Sequence, residues 1–255
     1  MARSTALRAL LAHLIDYAGL YPPAGLPLRE VAEKFEAYLD SPDSWILNRL
    51  VLPAGKLSRT PLRPGWRISL LIENQPDELP PEVETFECKA ARRFPLPTYC
   101  EAPLEAIPPG AFAKVRTGGL TPDMIPPAAQ VADFLYAAAQ RRVPFKATAG
   151  LHHPLRSLRP LTYAEDAEQA VMHGFVNVFT AAAFAWEGAE RAMVVDIRSD
   201  VDAAGFDFRE NELRWRGHPL AAAKIEASRR DFAHSFGSCS FEEPVAELRE
   251  LGWLE

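Results

Sequence analysis

The chain has little that would commit it to a disulfide framework or a metal module. It holds three cysteines, Cys88, Cys100 and Cys239, widely spaced and with no CxxC pair. An odd, scattered set of this kind excludes a disulfide-stapled mini-domain and a zinc ribbon, and fits a reducing cytoplasm. Positive charge is not in excess: 28 Lys and Arg stand against 34 Asp and Glu, a net charge of −6. A nucleic-acid binder needs a basic surface to neutralise phosphates, so that class of partner is excluded. A local cationic pocket for a small anion is not. No window approaches eighteen uninterrupted apolar residues, so no membrane span is expected. In MARSTALRALLAHLIDYAGL the apolar run is broken by His13 and Asp16 and no small-residue cleavage site follows. That stretch reads as a helix and then a strand, not as a signal peptide. Also missing are a G-x-G-x-x-G turn and any HxH or HExxH spacing, so no motif calls for a cofactor or a metal.

What is present is a succession of short apolar runs separated by proline-rich breaks, with 23 prolines in 255 residues. Strand-like runs fall at 13–20, 46–54, 66–74, 83–91, 98–104, 111–119, 143–150 and 232–238. Between several of them lie segments of helical period, such as PLREVAEKFEAYLD and the alanine-rich AAQVADFLYAAAQRR. Short strands alternating with helices mark a parallel α/β sheet. Eight such strands in a chain of this length match a (β/α)8 TIM-type barrel, and the missing Gly-rich turn counts against a doubly wound open sheet. The chain is expected to be one barrel domain over 1–255, with 155–230 as an insertion before the last strand. In that insertion AEDAEQAVMHGFVNVFTAAAFAWEG is one long helix or a strand–helix pair, and AGFDFRENELRWRGHPL is a hairpin turning at REN.

A barrel carries its chemistry at the C-terminal ends of its strands. Those ends hold Asp16, Glu73, Asn74, Glu87, Lys89, Glu101, Lys114, Arg116, Lys146, Thr148, His152 and His153. Two of them occupy almost the same local setting: AFAKVRTGG ends a strand in Lys114, and VPFKATAG ends the next in Lys146. A lysine that is partly desolvated and beside a second cation favours its neutral amine, the nucleophile that forms a Schiff base with a carbonyl. The bland alternative is a pair of strand-capping lysines bound to Glu87 or Glu101.

The order of these strand-end motifs resembles the class I aldolases of the deoxyribose-phosphate aldolase type. LIDYAGL stands where that family has its first strand I-D-H-T-L-L, with Tyr17 in place of the histidine. KVRTGG is similar to the K-T-S-T-G strand end and KATAG to K-A-S-G-G, while FGSCS is a loose counterpart of a Gly-Thr-Ser phosphate turn. The resemblance implies Lys114 as the Schiff-base lysine, Lys146 as the second cation, and Glu87 or Asp16 as proton relays. The family uses aspartate where Glu87 stands. The stretch FKATAGLHHPLR also resembles one in bacterial proteins without assigned chemistry.

Arg116 with Gly118 and Gly119 offers a guanidinium fork beside free backbone amides, a setting for an anionic group. Gly237 and Ser238, just ahead of a helix beginning near Pro244, offer another. Glu101, Thr148, His152 and His153 complete the expected substrate-binding rim. The leading expectation is therefore a lyase working on a small anionic carbonyl compound through a lysine Schiff base. Two alternatives stand beside it. One is a metal-assisted lyase or hydrolase in which His152 and His153 join Glu87 and Glu101 as ligands. The other is a barrel without chemistry whose 155–230 insertion is an interface for a partner or a second copy. Cys239 as a nucleophile, and His173 with Asn177 as a polar pair on one helical turn, are further features without an assigned role.

Overall fold

The structure is a computed structural model that describes residues 5–255. Helix α1 (Thr5–Leu11) precedes strand β1 (Ile15–Tyr17), so the expected helix–strand order of the N-terminal stretch holds from Thr5 onward. Then come α2 (Leu28–Leu39), β2 (Leu47–Pro53), a single-turn α3 (Ala54–Leu57), β3 (Ile68–Leu71), β4 (Val83–Cys88) and β5 (Thr98–Cys100). Strand β6 (Phe112–Arg116), helix α4 (Ala128–Gln140) and strand β7 (Phe145–Thr148) follow. The 155–230 region comprises the hairpin β8 (Ser157–Pro160) and β9 (Gln169–Met172), helices α5 (Phe175–Trp186) and α6 (Arg191–Ser199), and strands β10 (Phe206–Phe208), β11 (Glu212–Trp215) and β12 (His218–Ala221). Helix α7 (Ala222–Asp231), strand β13 (Ala233–Ser238) and helix α8 (Glu242–Glu250) end the chain.

Strands β1 to β7 and β13 form a closed barrel in which every pairing is parallel, β13 closing between β7 and β1. This is the TIM-type barrel, and each of the eight strand-like runs contains one of its staves. Not every connection is helical: no α-helix separates β3 from β4 or β4 from β5. Among the described residues no helix is long and apolar enough to cross a membrane.

The alternation of strand side chains sorts the residues into two layers. Phe145 and Ala147 of β7 point outward, where Phe145 meets Phe134, Phe179 and Phe232 from the surrounding helices. Helix α5 is apolar all round, and its residues Phe175 to Ala185 are all buried. A helix of that character must be covered on every side, and α5 is packed between α4 and α6 while Phe175 and Phe179 stack on Phe236 of the barrel. The segment that read as either one helix or a strand and a helix is the second of these. Gly174 caps α5, and a Cβ there would lie 2.4 Å from the Pro154 carbonyl oxygen, so a side chain at the strand–helix junction would not fit. The expected hairpin is present as β10–β11, and β12 extends it through a second turn at Arg216–Gly217.

Candidate active site

The inward layer of the barrel is polar. Lys114 of β6 and Lys146 of β7 are register partners, so neighbouring parallel strands aim both to the same side. They meet at one carboxylate. Lys146 Nζ donates to Glu87 Oε1 at 2.5 Å, and Lys114 Nζ lies 3.1 Å from Glu87 Oε2. Each lysine also holds a second acid: Lys146 donates to Asp16 Oδ2 at 2.6 Å, and Lys114 lies 3.2 Å from Glu101 Oε2. Glu101 in turn faces Arg116, whose Nε is 3.3 Å from Oε1. Three carboxylates and three cations therefore alternate from the barrel axis to its mouth.

The remaining lone pairs are used by neutral donors. Asn48 Nδ2 donates to Asp16 Oδ1 at 2.6 Å, and Ser235 donates to Asp16 Oδ2 at 2.8 Å. Ser69 donates to Glu87 Oε1 at 2.7 Å and itself accepts from Thr85. The register of β13 slips between Ala233 and Ser235, which gives the strand an extra residue. That irregularity lets His234 approach the Tyr99 hydroxyl at 2.8 Å while Ser235 reaches Asp16. The Tyr99 ring also lies under Lys146, 5.6 Å from Nζ.

Lys146 is 1% exposed and Glu87 2%. Burial by itself would neutralise Glu87, but the ammonium charges of Lys146 and Lys114 and the Ser69 hydroxyl outweigh it and hold the carboxyl down to about 2. For Lys146, burial is likewise opposed by Asp16 and Glu87, and the net effect raises its pKa above the ordinary lysine value. Lys146 is thus a fixed ammonium. Lys114, 8% exposed, is the lysine nearer to solvent.

The loops after β6 and β7 are held against each other where the mouth begins. Gly118 and Gly150 touch so closely that a Cβ on Gly118 would be 2.9 Å from the Gly150 Cα. Thr117 reinforces the contact, donating through its hydroxyl to the carbonyl of Ala149 at 2.5 Å. Gly119 packs on Met124, and Thr148 is the register partner of both Arg116 and Gly237. Glu73, Asn74 and Lys89, from the same expected rim, are exposed. Tyr17 faces away from the axis and packs edge-on against Tyr38, 5.1 Å between centroids.

The histidines of the rim sit with helix α8. His152 Nδ1 lies 3.0 Å from Glu243 Oε2, and His153 Nδ1 lies 2.7 Å from Glu247 Oε1. The far nitrogen of His152 faces Cys239 Sγ at 4.0 Å, in the turn that follows Ser238. Tyr163, from the β8–β9 turn, closes over this group with its hydroxyl 3.7 Å from the sulfur and 3.3 Å from Glu243. Burial disfavours charge on both, but each offsets the other: His152 is raised to about 9 and the Cys239 thiol is lowered. Thiol, imidazole and carboxylate stand in the order that produces a nucleophilic thiolate. Among the described residues no set of three or more His, Cys, Asp and Glu is disposed to hold a metal ion.

Sequence reasoning missed Tyr21, in the loop after β1. Its hydroxyl is buried and has no hydrogen-bond partner among the described residues, and burial with the charge of Glu87 raises its pKa. No strand-end rule would single it out, since it lies four residues beyond β1. A cavity of about 580 Å³ is at the opposite end of the barrel, lined by Arg8, His13, Arg49, Glu84, Phe112 and His234 among others. Its polar groups are already engaged: Arg49 pairs with Glu84 at 2.9 Å, and Arg229 is wrapped by the carbonyls of Leu10, Ala12, His13, Ala233 and His234. That end of a barrel serves stability, and the lysine cluster at the other end is the better seat for chemistry. Compared with known proteins, the chain matches no family, no curated protein and no solved structure, so its chemistry is argued from this geometry alone.

Proposed function

We propose that the barrel is a lyase of the aldolase kind, acting on a small carbonyl compound with an anionic end through a Schiff base on Lys114. The observation that carries this reading is the carboxylate of Glu87, divided one oxygen each between Lys114 and the fully buried Lys146. Lys146 stays charged and fixes Glu87, while Lys114 faces the mouth with two carboxylates in reach to accept its proton. The free amine then attacks the carbonyl carbon, and a C=N bond forms as water leaves. The protonated imine is the electron sink: the bond one carbon removed from it breaks, the substrate hydroxyl gives its proton to a carboxylate, and a carbonyl fragment departs. The enamine left on the enzyme regains a proton at carbon, and water hydrolyses the imine to return Lys114.

Other residues have matching tasks. The unpartnered hydroxyl of Tyr21 is a donor for the substrate oxygen. Arg116, tied among the described residues to Glu101 and the Gly118 carbonyl, takes the anionic end beside the Gly118 and Gly119 turn. The test is borohydride trapping with a panel of small anionic aldehydes and ketones, followed by peptide mass analysis. An adduct on Lys114, lost in Lys114→Met, is the expected result. A panel that gives no adduct on either lysine overturns the reading.

A further inference from the structure

Two of the three cysteines stand side by side. Cys88 ends β4, Cys100 ends β5, and the two are register partners in a parallel pair of strands. Cα atoms paired in this way are about 4.8 Å apart, inside the roughly 4.4–6.8 Å range that a disulfide spans. Parallel register also sends both side chains to the same side. Glu87 and Tyr99, the residues before them, face Lys146, so the two sulfurs lie in the outer layer, 3.7 Å apart. Both thiols are buried and free.

Two sulfurs in contact can be simple core packing. Here their surroundings add chemistry. The segment 89–97 that joins the strands holds no helix or strand, and its residues 89–93 are all exposed. Its Ala90 carbonyl lies 3.1 Å from Cys88 Sγ, and its Arg92 carbonyl lies 3.0 Å from Cys100 Sγ. A short exposed strip of chain thus lies against the sulfurs, and it carries Lys89, Arg92 and Arg93, charges that favour a thiolate. Within the pair the Cys88 thiol donates to Cys100, which lowers Cys100 to about 7 against the effect of burial and raises Cys88. One sulfur is therefore partly thiolate at neutral pH while its neighbour keeps a proton. That is the division between attacking and resolving thiol in a disulfide-forming pair.

We infer that Cys88 and Cys100 are a peroxide-sensitive dithiol that closes to a reversible disulfide beside the mouth of the barrel. The Cys100 thiolate attacks one oxygen of hydrogen peroxide, the O–O bond breaks, and hydroxide leaves as Cys100 becomes a sulfenic acid. Cys88 gives its proton to that hydroxide and attacks the Cys100 sulfur. The S–S bond forms as the S–O bond breaks. Each sulfur gives up one electron and the peroxide gains two, so two thiols and one peroxide become a disulfide and two waters. A dithiol reductant reverses the change by exchange. The new bond draws the sulfurs from 3.7 Å to about 2.05 Å and ties together the strand ends that present Glu87 and Glu101 to Lys114.

The experiment uses the full reduced chain, treated with graded hydrogen peroxide, then alkylated with iodoacetamide and digested with trypsin without reduction. Cleavage after Lys89, Arg92 and Arg93 puts the two cysteines in separate peptides, so the bridge is read as their joined mass less two hydrogens. That species is expected to rise with dose and to disappear after dithiothreitol. It should be absent in Cys88→Ser and Cys100→Ser and kept in Cys239→Ser. The wild-type map is decisive even if a variant fails to fold. Sulfinic or sulfonic acids with no bridge at any dose, bridges to Cys239 or to a second chain, or thiols that stay fully alkylatable would each overturn the inference. Acetylation of Lys114 by acetic anhydride should differ between the dithiol and disulfide forms by roughly twofold or more, as a shifted carboxylate changes the hold on its ammonium. Equal rates would overturn the tie to the mouth. No carbonyl substrate enters either measurement, so the disulfide and the Schiff base can fail separately.

Discussion

The lysine cluster and Arg198 of α6 are two solutions to burying positive charge in one molecule. At the barrel axis each lysine bridges two carboxylates, and hydroxyls and an amide fill the remaining lone pairs. Arg198 is fully buried, and its one hydrogen bond among the described residues is to the neutral imidazole of His173, while the half-buried Arg156 adds a like charge. A paired cluster is costly to break and changes little when a ligand arrives. An unpaired one is costly to keep. The difference teaches that burial alone does not set the energy of a charge; whether an acid stands beside it does.

The comparison breaks most readily at Lys146. Lys146→Met leaves Asp16 and Glu87 buried and facing each other without their cation, and should cost about 3–5 kcal/mol in urea unfolding at neutral pH. A cost below about 1 kcal/mol would mean the cluster is not held by its charges. Next comes acid. Glu87 has a folded pKa near 2 against an ordinary 4.5, so its contribution is complete above pH 4.5 and is lost as pH falls toward 2. Wild type should exceed Glu87→Gln by roughly 3 kcal/mol at pH 6, and the gap should close by pH 2. A gap that stays constant across that range would contradict the pairing.

A smaller effect is expected at the thiol. Cys239 should react with iodoacetamide at neutral pH roughly tenfold faster than in His152→Asn, because the imidazole lowers the thiol's pKa and so favours the thiolate. Peptide mapping separates it from Cys88 and Cys100, and equal rates in both proteins would show an ordinary thiol. The smallest effect belongs to the surface. Arg29 and Glu33, both exposed and one helical turn apart, form a 2.8 Å pair whose removal by Arg29→Ala should leave the urea midpoint close to the wild-type value. That value is the baseline against which a buried charge is judged.

The barrel was legible because its staves are short apolar runs between proline breaks, and parallel strands buried on both faces leave that trace. The two lysines were legible as a pair because each closes such a run before a Gly-bearing turn. Their shared carboxylate was named from the end of β4, but its supporting donors were not. Asn48, Ser69 and Ser235 lie within strands, where a polar residue looks like any other departure from an apolar pattern until register brings it to the axis. Tyr163 meets Cys239 and Glu243 through the β8–β9 hairpin, contacts between segments about 80 residues apart that no local spacing encodes. Strand β8 and helix α6 went unread for a different reason. SLRP holds a single apolar residue, and RAMVVDIRS is a short run broken by arginines, an aspartate and a serine. The polar pair His173 and Asn177 was visible as a signal, and Asn177 proves to tether the same neighbourhood, accepting from the Arg156 backbone N–H and donating to the carbonyls of Ile197 and Asp200.

The divided carboxylate of Glu87 has one more effect. An amine that becomes an imine gives up two of its hydrogens, so Glu87 Oε2 would feel any covalent occupant of Lys114 as the loss of a donor. Its other oxygen shares Lys146 with Asp16, which is tied to β2 through Asn48 and to β13 through Ser235. A change at Lys114 would thereby reach β2 and β13 through a continuous chain of hydrogen bonds.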